Sequence, residues 1–155
     1  MNTSTKPKAT GFTIIEVVLV LAIAGLIFLI VFLAVPALQR SQRDTQRKND
    51  VGRLVAAIQS YQSNQRGLLP ADLGGTGTGN IMGSNYLGNF ADPSAGTYTF
   101  ASVGTADISA AAPTTATTGQ INYKVAANCD NTTAGNRKVA VVVSLEGGGT
   151  YCQTN

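Results

Sequence analysis

The chain has no histidine and no tryptophan, only two cysteines, and charged side chains at 12 %, about half the usual share. Without histidine there is no Ser-His-Asp site, no Cys-His site and no His-based zinc site. Two cysteines are too few for a thiolate metal cage but enough for one disulfide. Eleven basic against eight acidic residues leave a net charge of only +3 over 155 residues, too small and too dispersed to mark a polyanion binder. No paired acids stand at a plausible catalytic spacing. The glycine run 74–79 lacks the Lys-Ser/Thr ending of a phosphate loop. We therefore expect no enzyme, no cofactor and no metal.

The low charge has a local cause. Residues 12–35 form a run of 24 with a single charge, Glu16. At about 1.5 Å per residue a helix of that length spans roughly 36 Å, enough for a hydrocarbon core of about 30 Å. Apolar residues lie on every face, unlike a helix that lies on a membrane surface. The run is also longer than the roughly 7–15 residues of a signal-peptide core, so a retained membrane helix is the expectation. Lys6 and Lys8 precede it, and Arg40, Arg43, Arg47 and Lys48 follow it, so charge counting slightly favours the wrong side for a secreted C-terminal part. The Thr-, Gly-, Asn- and Ala-rich C-terminal composition with two separated cysteines places that part outside.

The rest of the chain divides by pattern. Residues 1–11 are polar and basic and cannot fold alone. Residues 36–66 continue the apolar run as an amphipathic helix. Val51, Leu54, Val55, Ile58 and Tyr61 fall on one stripe, Asp44 and Lys48 are an i, i+4 pair, and Gly67 and Pro70 are stop signals. Unbroken, the rod would be about 55 residues and roughly 80 Å long, with Pro36 kinking it or removing a hydrogen bond. Residues 67–155 form the globular unit. Strands are expected over 97–101, 120–126, 138–145 and 149–152, with 139–143 mid-sheet and Glu146-Gly147-Gly148-Gly149 as a hairpin turn. The fold class is α+β, a small antiparallel sheet packed on the C-terminal half of a long helix.

Cys129 and Cys152 would close a loop of 24 residues counting both ends, worth roughly 3.4 kcal/mol in the chain-entropy model. Two unrelated buried thiols are the alternative; an exterior location and the even count favour the bridge. Arg40, Arg43, Arg47, Lys48 and Arg53 are interrupted by Asp44 and Asp50. They are expected to form a solvated helix face with intersubunit pairs, and a nucleic-acid partner has no other support. Asn131-Thr132-Thr133 is a formal glycosylation pattern of little weight.

Glu16 is the one residue here with a chemical demand. A lone carboxylate in hydrocarbon costs several kcal/mol, so it must reach the interface, stay protonated or meet a cation from outside its own helix. An α-amine on a neighbouring copy would serve if the chain were cut at the helix start.

The stretch Lys8 to Ile23, Lys-Ala-Thr-Gly-Phe-Thr-Ile-Ile-Glu-Val-Val-Leu-Val-Leu-Ala-Ile, resembles the N-terminal signature of type IV prepilins: a basic leader, a Gly, a Phe, then Thr, two apolar residues and Glu opening an apolar helix. The resemblance is tight over residues 6–35 and architectural beyond. It implies cleavage after Gly11 by prepilin peptidase, N-methylation of Phe12, and pairing of Glu16 with the Phe12 amine of an adjacent subunit. It implies that Lys6 and Lys8 stay cytoplasmic, which fixes the orientation left open by charge. It further implies that Gly25 and Pro36 weaken the helix and that Cys129 and Cys152 bound a variable C-terminal segment. The expected role is a structural subunit of an extracellular pilus-like filament, made by self-association and an assembly platform from a single-pass membrane precursor. A pseudopilin of a secretion or DNA-uptake machine and a low-copy minor pilin or adhesin are the alternatives.

Overall fold

Between residues 14 and 64 the sequence offers Leu, Ala, Arg, Gln and other helix formers with few interruptions, and the chain forms one α-helix there, α1 (Ile14–Asn64). Pro36 lies inside it; its ring nitrogen has no hydrogen to give the carbonyl one turn back. Gly25 is helical too. The computed structural model describes residues 11–71, 73, 81, 86–87, 90–108, 110, 113 and 119–155. Lys6, Lys8, the glycine run 74–79 and most of the 110–119 loop lie outside the described residues. Four strands follow the helix: β1 (Thr99–Ser102), β2 (Gln120–Val125), β3 (Val139–Ser144) and β4 (Thr150–Thr154). The chain divides into two compact units, residues 1–38 and 39–155.

In the second unit the helix ends where left-handed backbone begins. The Gly67 N–H reaches back to the Gln62 carbonyl at 2.7 Å, with Arg66 at φ 56° and Gly67 at φ 84°, a helix stop of the glycine-assisted kind. Its buried stripe is Val51, Leu54, Val55, Ala57 and Ile58. These meet Phe90, Tyr98, Ile121, Val139, Val141 and Val143 in the main core. β3 is buried along its whole length, because it lies between β2 and β4 and is covered on both faces. Val139, Val141 and Val143 face the helix core, while Ala140 and Val142 pack with Ile108 and Ala127 in a second cluster beside Cys129 and Cys152. The two cysteines are bonded, with Cα atoms 5.8 Å apart, so the last strand is tied to the loop after β2.

The α+β architecture is as expected, and the strands start and end within two residues of their expected positions. One strand direction differs. The sheet order is β1-β2-β3-β4, and β1 runs parallel to β2, with Thr99 opposite Gln120 and Ser102 opposite Tyr123. The other two pairs are antiparallel. Alternation of apolar and polar residues fixes which face a side chain takes, whichever way its neighbour runs. Direction is set by the connection, and segment 103–119 is long enough for the crossover that parallel pairing needs, about a dozen residues or more.

The larger departure concerns the basic residues of the helix. Arg40, Lys48 and Arg53 are exposed, but Arg47 is fully buried and Arg43 half-buried. Continuing the Val51 stripe back by four and seven residues lands on Arg47 and Asp44, so these charges share the core-facing side of the helix. Arg47 Nε donates to Asp92 at 2.8 Å, and its Nη2 donates to Ser94 Oγ at 3.1 Å and lies 3.1 Å from Glu146. Arg43 grips Glu146 through Nε and Nη2 at 2.9 and 2.6 Å. Asp44 accepts the N–H groups of Glu146 and Gly147 at 2.7 and 2.8 Å. A Cβ on Gly147 would stand 3.0 Å from the Asp44 carboxylate, a tight contact that glycine avoids. Tyr98 donates to Asp50 at 3.1 Å; burial, reinforced by the Asp50 and Asp92 charges, pushes its hydroxyl far above the ordinary tyrosine range. The network is internal to one chain, where a solvated face with intersubunit pairs was expected.

Its charges follow from their neighbours. The Arg43 hydrogen bonds, helped by Ser94 and the Arg47 charge, outweigh burial and hold the Glu146 carboxyl at about 2. Burial pushes Asp92 up, but Arg47 and the Ala95 and Ser94 N–H groups more than offset it and leave it below the usual range. A carboxylate lowered in the folded state contributes stability that is full above its unfolded value and lost as pH falls through the folded one. For Glu146 that window runs from its ordinary 4.5 down to about 2. All five tyrosines lie in the second unit, so near-ultraviolet circular dichroism reports its unfolding. The urea midpoint should fall as pH drops through that window, and Glu146→Gln should flatten the fall; an unchanged acid slope in the variant would contradict this account.

Candidate functional site

The first unit presents its apolar surface outward. From Phe12 to Leu38, nineteen large apolar side chains are exposed, Phe12 at 89 %. The most apolar stretch of this helix is not buried within the chain. By length and composition the helix can cross a membrane.

Its start is built by four residues. Gly11, Phe12 and Thr13 lie outside the helix and are exposed, and the helix begins at Ile14. Thr13 is therefore the N-cap and Glu16 the third helical residue, the Thr-x-x-Glu capping box. The Thr13 N–H donates to Glu16 Oε2 at 2.8 Å, the Thr13 hydroxyl donates to the same oxygen at 2.9 Å, and the Glu16 N–H points back at Thr13 Oγ1 at 3.4 Å. These bonds satisfy donors that the first turn of any helix leaves open. They also put a carboxylate at the helix end where the backbone dipole favours negative charge.

The box uses one carboxylate oxygen. Oε1 of Glu16 has no partner, and no cation stands within ion-pair distance of it, among the described residues. The geometry is thus a fixed carboxylate, one oxygen engaged by its own chain and one presented outward, on a helix whose neighbours are all apolar. Phe12 precedes the cap directly, so a chain beginning there would place its amine next to the carboxylate's own anchor. Gly11, Phe12 and Glu16 thus lie together at the helix start with Thr13, whose part was signalled in the sequence by the Thr-x-x-Glu spacing.

Cys129 and Cys152 belong to the second unit and are far along the chain from this segment; their bridge is structural. Among the described residues no group of three or more Cys, Asp or Glu side chains is arranged to hold a metal. The Arg47 network binds helix, loop and hairpin turn together.

Comparison with protein families matches residues 6–32 to the prokaryotic N-terminal methylation motif, the type IV prepilin signature. The match covers the leader's end, Gly11, Phe12, Thr13, Glu16 and most of the apolar run. Neither the curated proteins nor the solved structures gave a match. The motif supports a type IV pilin-like or pseudopilin protein and implies cleavage by prepilin peptidase and filament assembly. With the apolar helix it supports membrane anchoring before assembly.

The capping box gives Thr13 a measurable job. Thr13→Val keeps shape and removes the hydroxyl, and should destabilise the first turn by about 1 kcal/mol, the usual value of an N-cap side chain. In detergent micelles the amides of residues 15–17 should exchange roughly fivefold faster; unchanged exchange would mean that the hydroxyl contributes nothing.

Proposed function

We propose that the chain is the structural subunit of an extracellular type IV pilus-like filament. Prepilin peptidase cuts after Gly11 and methylates the new Phe12 amine. The precursor spans the membrane once, with Lys6 and Lys8 on the cytoplasmic side and residues 39–155 outside. The subunit leaves the membrane through an assembly platform and joins a bundle of like helices. The observation that carries this reading is the half-engaged Glu16 carboxylate, set five residues after Gly11 on an otherwise apolar surface.

The physics of the transfer supports the roles. Moving the helix from lipid into a bundle of identical helices changes its polarity little, because lipid tails are as apolar as leucine. The bulk of the helix surface therefore favours no particular axial position. One charged pair does: the outward Oε1 of Glu16 can accept a Phe12 ammonium from the next subunit while Oε2 stays on Thr13. Methylation leaves that nitrogen cationic with protons to donate. A carboxylate and an ammonium meeting in low dielectric attract strongly, and either one left alone there is costly. Register is thus set by one pair among many interchangeable apolar contacts. The role is structural rather than catalytic.

The pseudopilin reading shares the motif. The Cys129–Cys152 bridge, tethering the last strand of a unit that would face an oxidising exterior, favours the filament subunit. Long sheared fibres composed mainly of this chain would establish that role, and their absence with a membrane-retained processed chain would replace it by the pseudopilin.

Two variants separate processing from assembly. Glu16→Ala should yield mature protein beginning at methylated Phe12, by N-terminal mass, and few or no filaments; wild-type filament yield would remove Glu16 from register setting. Gly11→Ile should accumulate the precursor with all eleven leader residues, and a mature N-terminus at Phe12 in that variant would overturn the assigned cut.

A further inference from the structure

The network around Arg47 hides acids and leaves cations outside. Of the chain's 11 basic and 8 acidic residues, Lys6, Lys8 and Glu16 precede residue 39. In the second unit Asp44, Asp50, Asp92 and Glu146 are taken up with Arg43, Arg47 and Arg53. Beyond that network the described acids are Asp107 and Asp130, against Arg40, Lys48, Arg66, Lys124, Arg137 and Lys138. The surface is therefore more basic than the net charge suggests.

Two of those cations converge. Arg66 and Arg137 line one open depression of about 450 Å3, together with Gln59, Gln62, Ser63 and Gly67 and, among the described residues, with no acid. The Arg137 guanidinium lies over Gly67: a Cβ there would stand 2.7 Å from its Cζ and 2.9 Å from its Nε. Gln62 braces the floor, its Nε2 donating to the Arg137 carbonyl at 2.6 Å and its Oε1 accepting from Asn155 at 2.9 Å. Neither guanidinium has a hydrogen-bond or ion-pair partner among the described residues. Cations at a helix C-terminus often serve its open carbonyls. Here Tyr61, Gln62 and Gln65 accept backbone N–H groups, and neither guanidinium is engaged with a carbonyl of that end among the described residues.

We propose that this depression binds a phosphomonoester dianion. Two guanidinium forks match two negative charges and present paired N–H donors suited to phosphate oxygens, and the amide side chains add neutral polar contacts. A carboxylate would satisfy one fork and leave the second charge unmatched. The inference is independent of the filament reading, because it uses only residues 59–67 and 137.

The test is a titration of the full chain in nonionic detergent and a phosphate-free buffer, followed by amide nitrogen–proton shifts at Ser63, Arg66, Gly67 and Lys138. Inorganic phosphate and glucose 6-phosphate should each give saturable shifts, with a dissociation constant on the order of 1 mM. The glucose 6-phosphate affinity should rise severalfold from pH 5.5 to 7.5, as the second phosphate proton leaves with a pKa of about 6 while the arginines stay charged. Tighter binding of glucose 6-phosphate than of phosphate assigns the site to phosphate carried on a larger molecule, and the reverse order assigns it to the free ion. Arg66→Gln with Arg137→Gln should abolish the shifts while the tyrosine circular dichroism stays that of the wild type. Equal binding of acetate, shifts that persist in the double variant, saturation only by duplex DNA, or no saturation up to tens of millimolar would each overturn the proposal.

Discussion

An apolar helix surface with nothing of its own chain to cover it sets the terms for the rest of the molecule. Nineteen large side chains between Phe12 and Leu38 are exposed, and each would gain about 1.5–3 kcal/mol by leaving water. The total, on the order of tens of kcal/mol, exceeds the stability of a typical domain. Lipid or like helices must supply the covering. The polar cap at Thr13 and Glu16 then stands out on that surface, and in the filament proposed above it would be what distinguishes one axial position from another.

Residues 39–155 solve a different problem. A sheet of four short strands buries little on its own, and the helix gives it a second layer. Hydrophobic contact joins the two through Val51, Leu54, Val55 and Ile58. Arg47 adds specificity, since its guanidinium joins Asp92 before β1 and Glu146 in the β3–β4 turn to one helix position. Buried ion pairs return little net stability over an apolar replacement, but losing one partner costs about 3–5 kcal/mol. That asymmetry makes the arrangement a lock on the relative placement of three segments.

Legibility in the sequence tracked how local each signal was. The membrane-length run, the Val51 stripe, the Gly67 stop and the continuously apolar β3 all depend on neighbours in sequence, and each could be read directly. Glu16 was legible as the one charge in an apolar run, whereas the roles expected of Gly11 and Phe12 rest on the resemblance to the prepilin signature and not on their own chemistry. The parallel β1–β2 pair was not legible, since alternation carries no direction. The burial of Arg47 depends on Asp92 and Glu146, 45 and 99 positions away, and charge alone suggested solvent. The helical period did carry a hint, because the buried stripe extended backward passes through Arg47 and Asp44. Thr13 was legible too, because a Thr-x-x-Glu spacing at the start of a helix is a local signal for the hydrogen bonds it makes.

The bond between Cys129 and Cys152 encloses β3, its turn and the start of β4 in a covalent ring with a sequence separation of 23. Under tension along the chain, such a ring cannot lengthen: the enclosed residues add nothing to the contour that force can draw out, and β3 stays looped against the start of β4 even after β1 and β2, which lie outside the ring, have been pulled straight. A fibre made of such subunits would stretch by yielding elsewhere first, with the hairpin acting as an inextensible link.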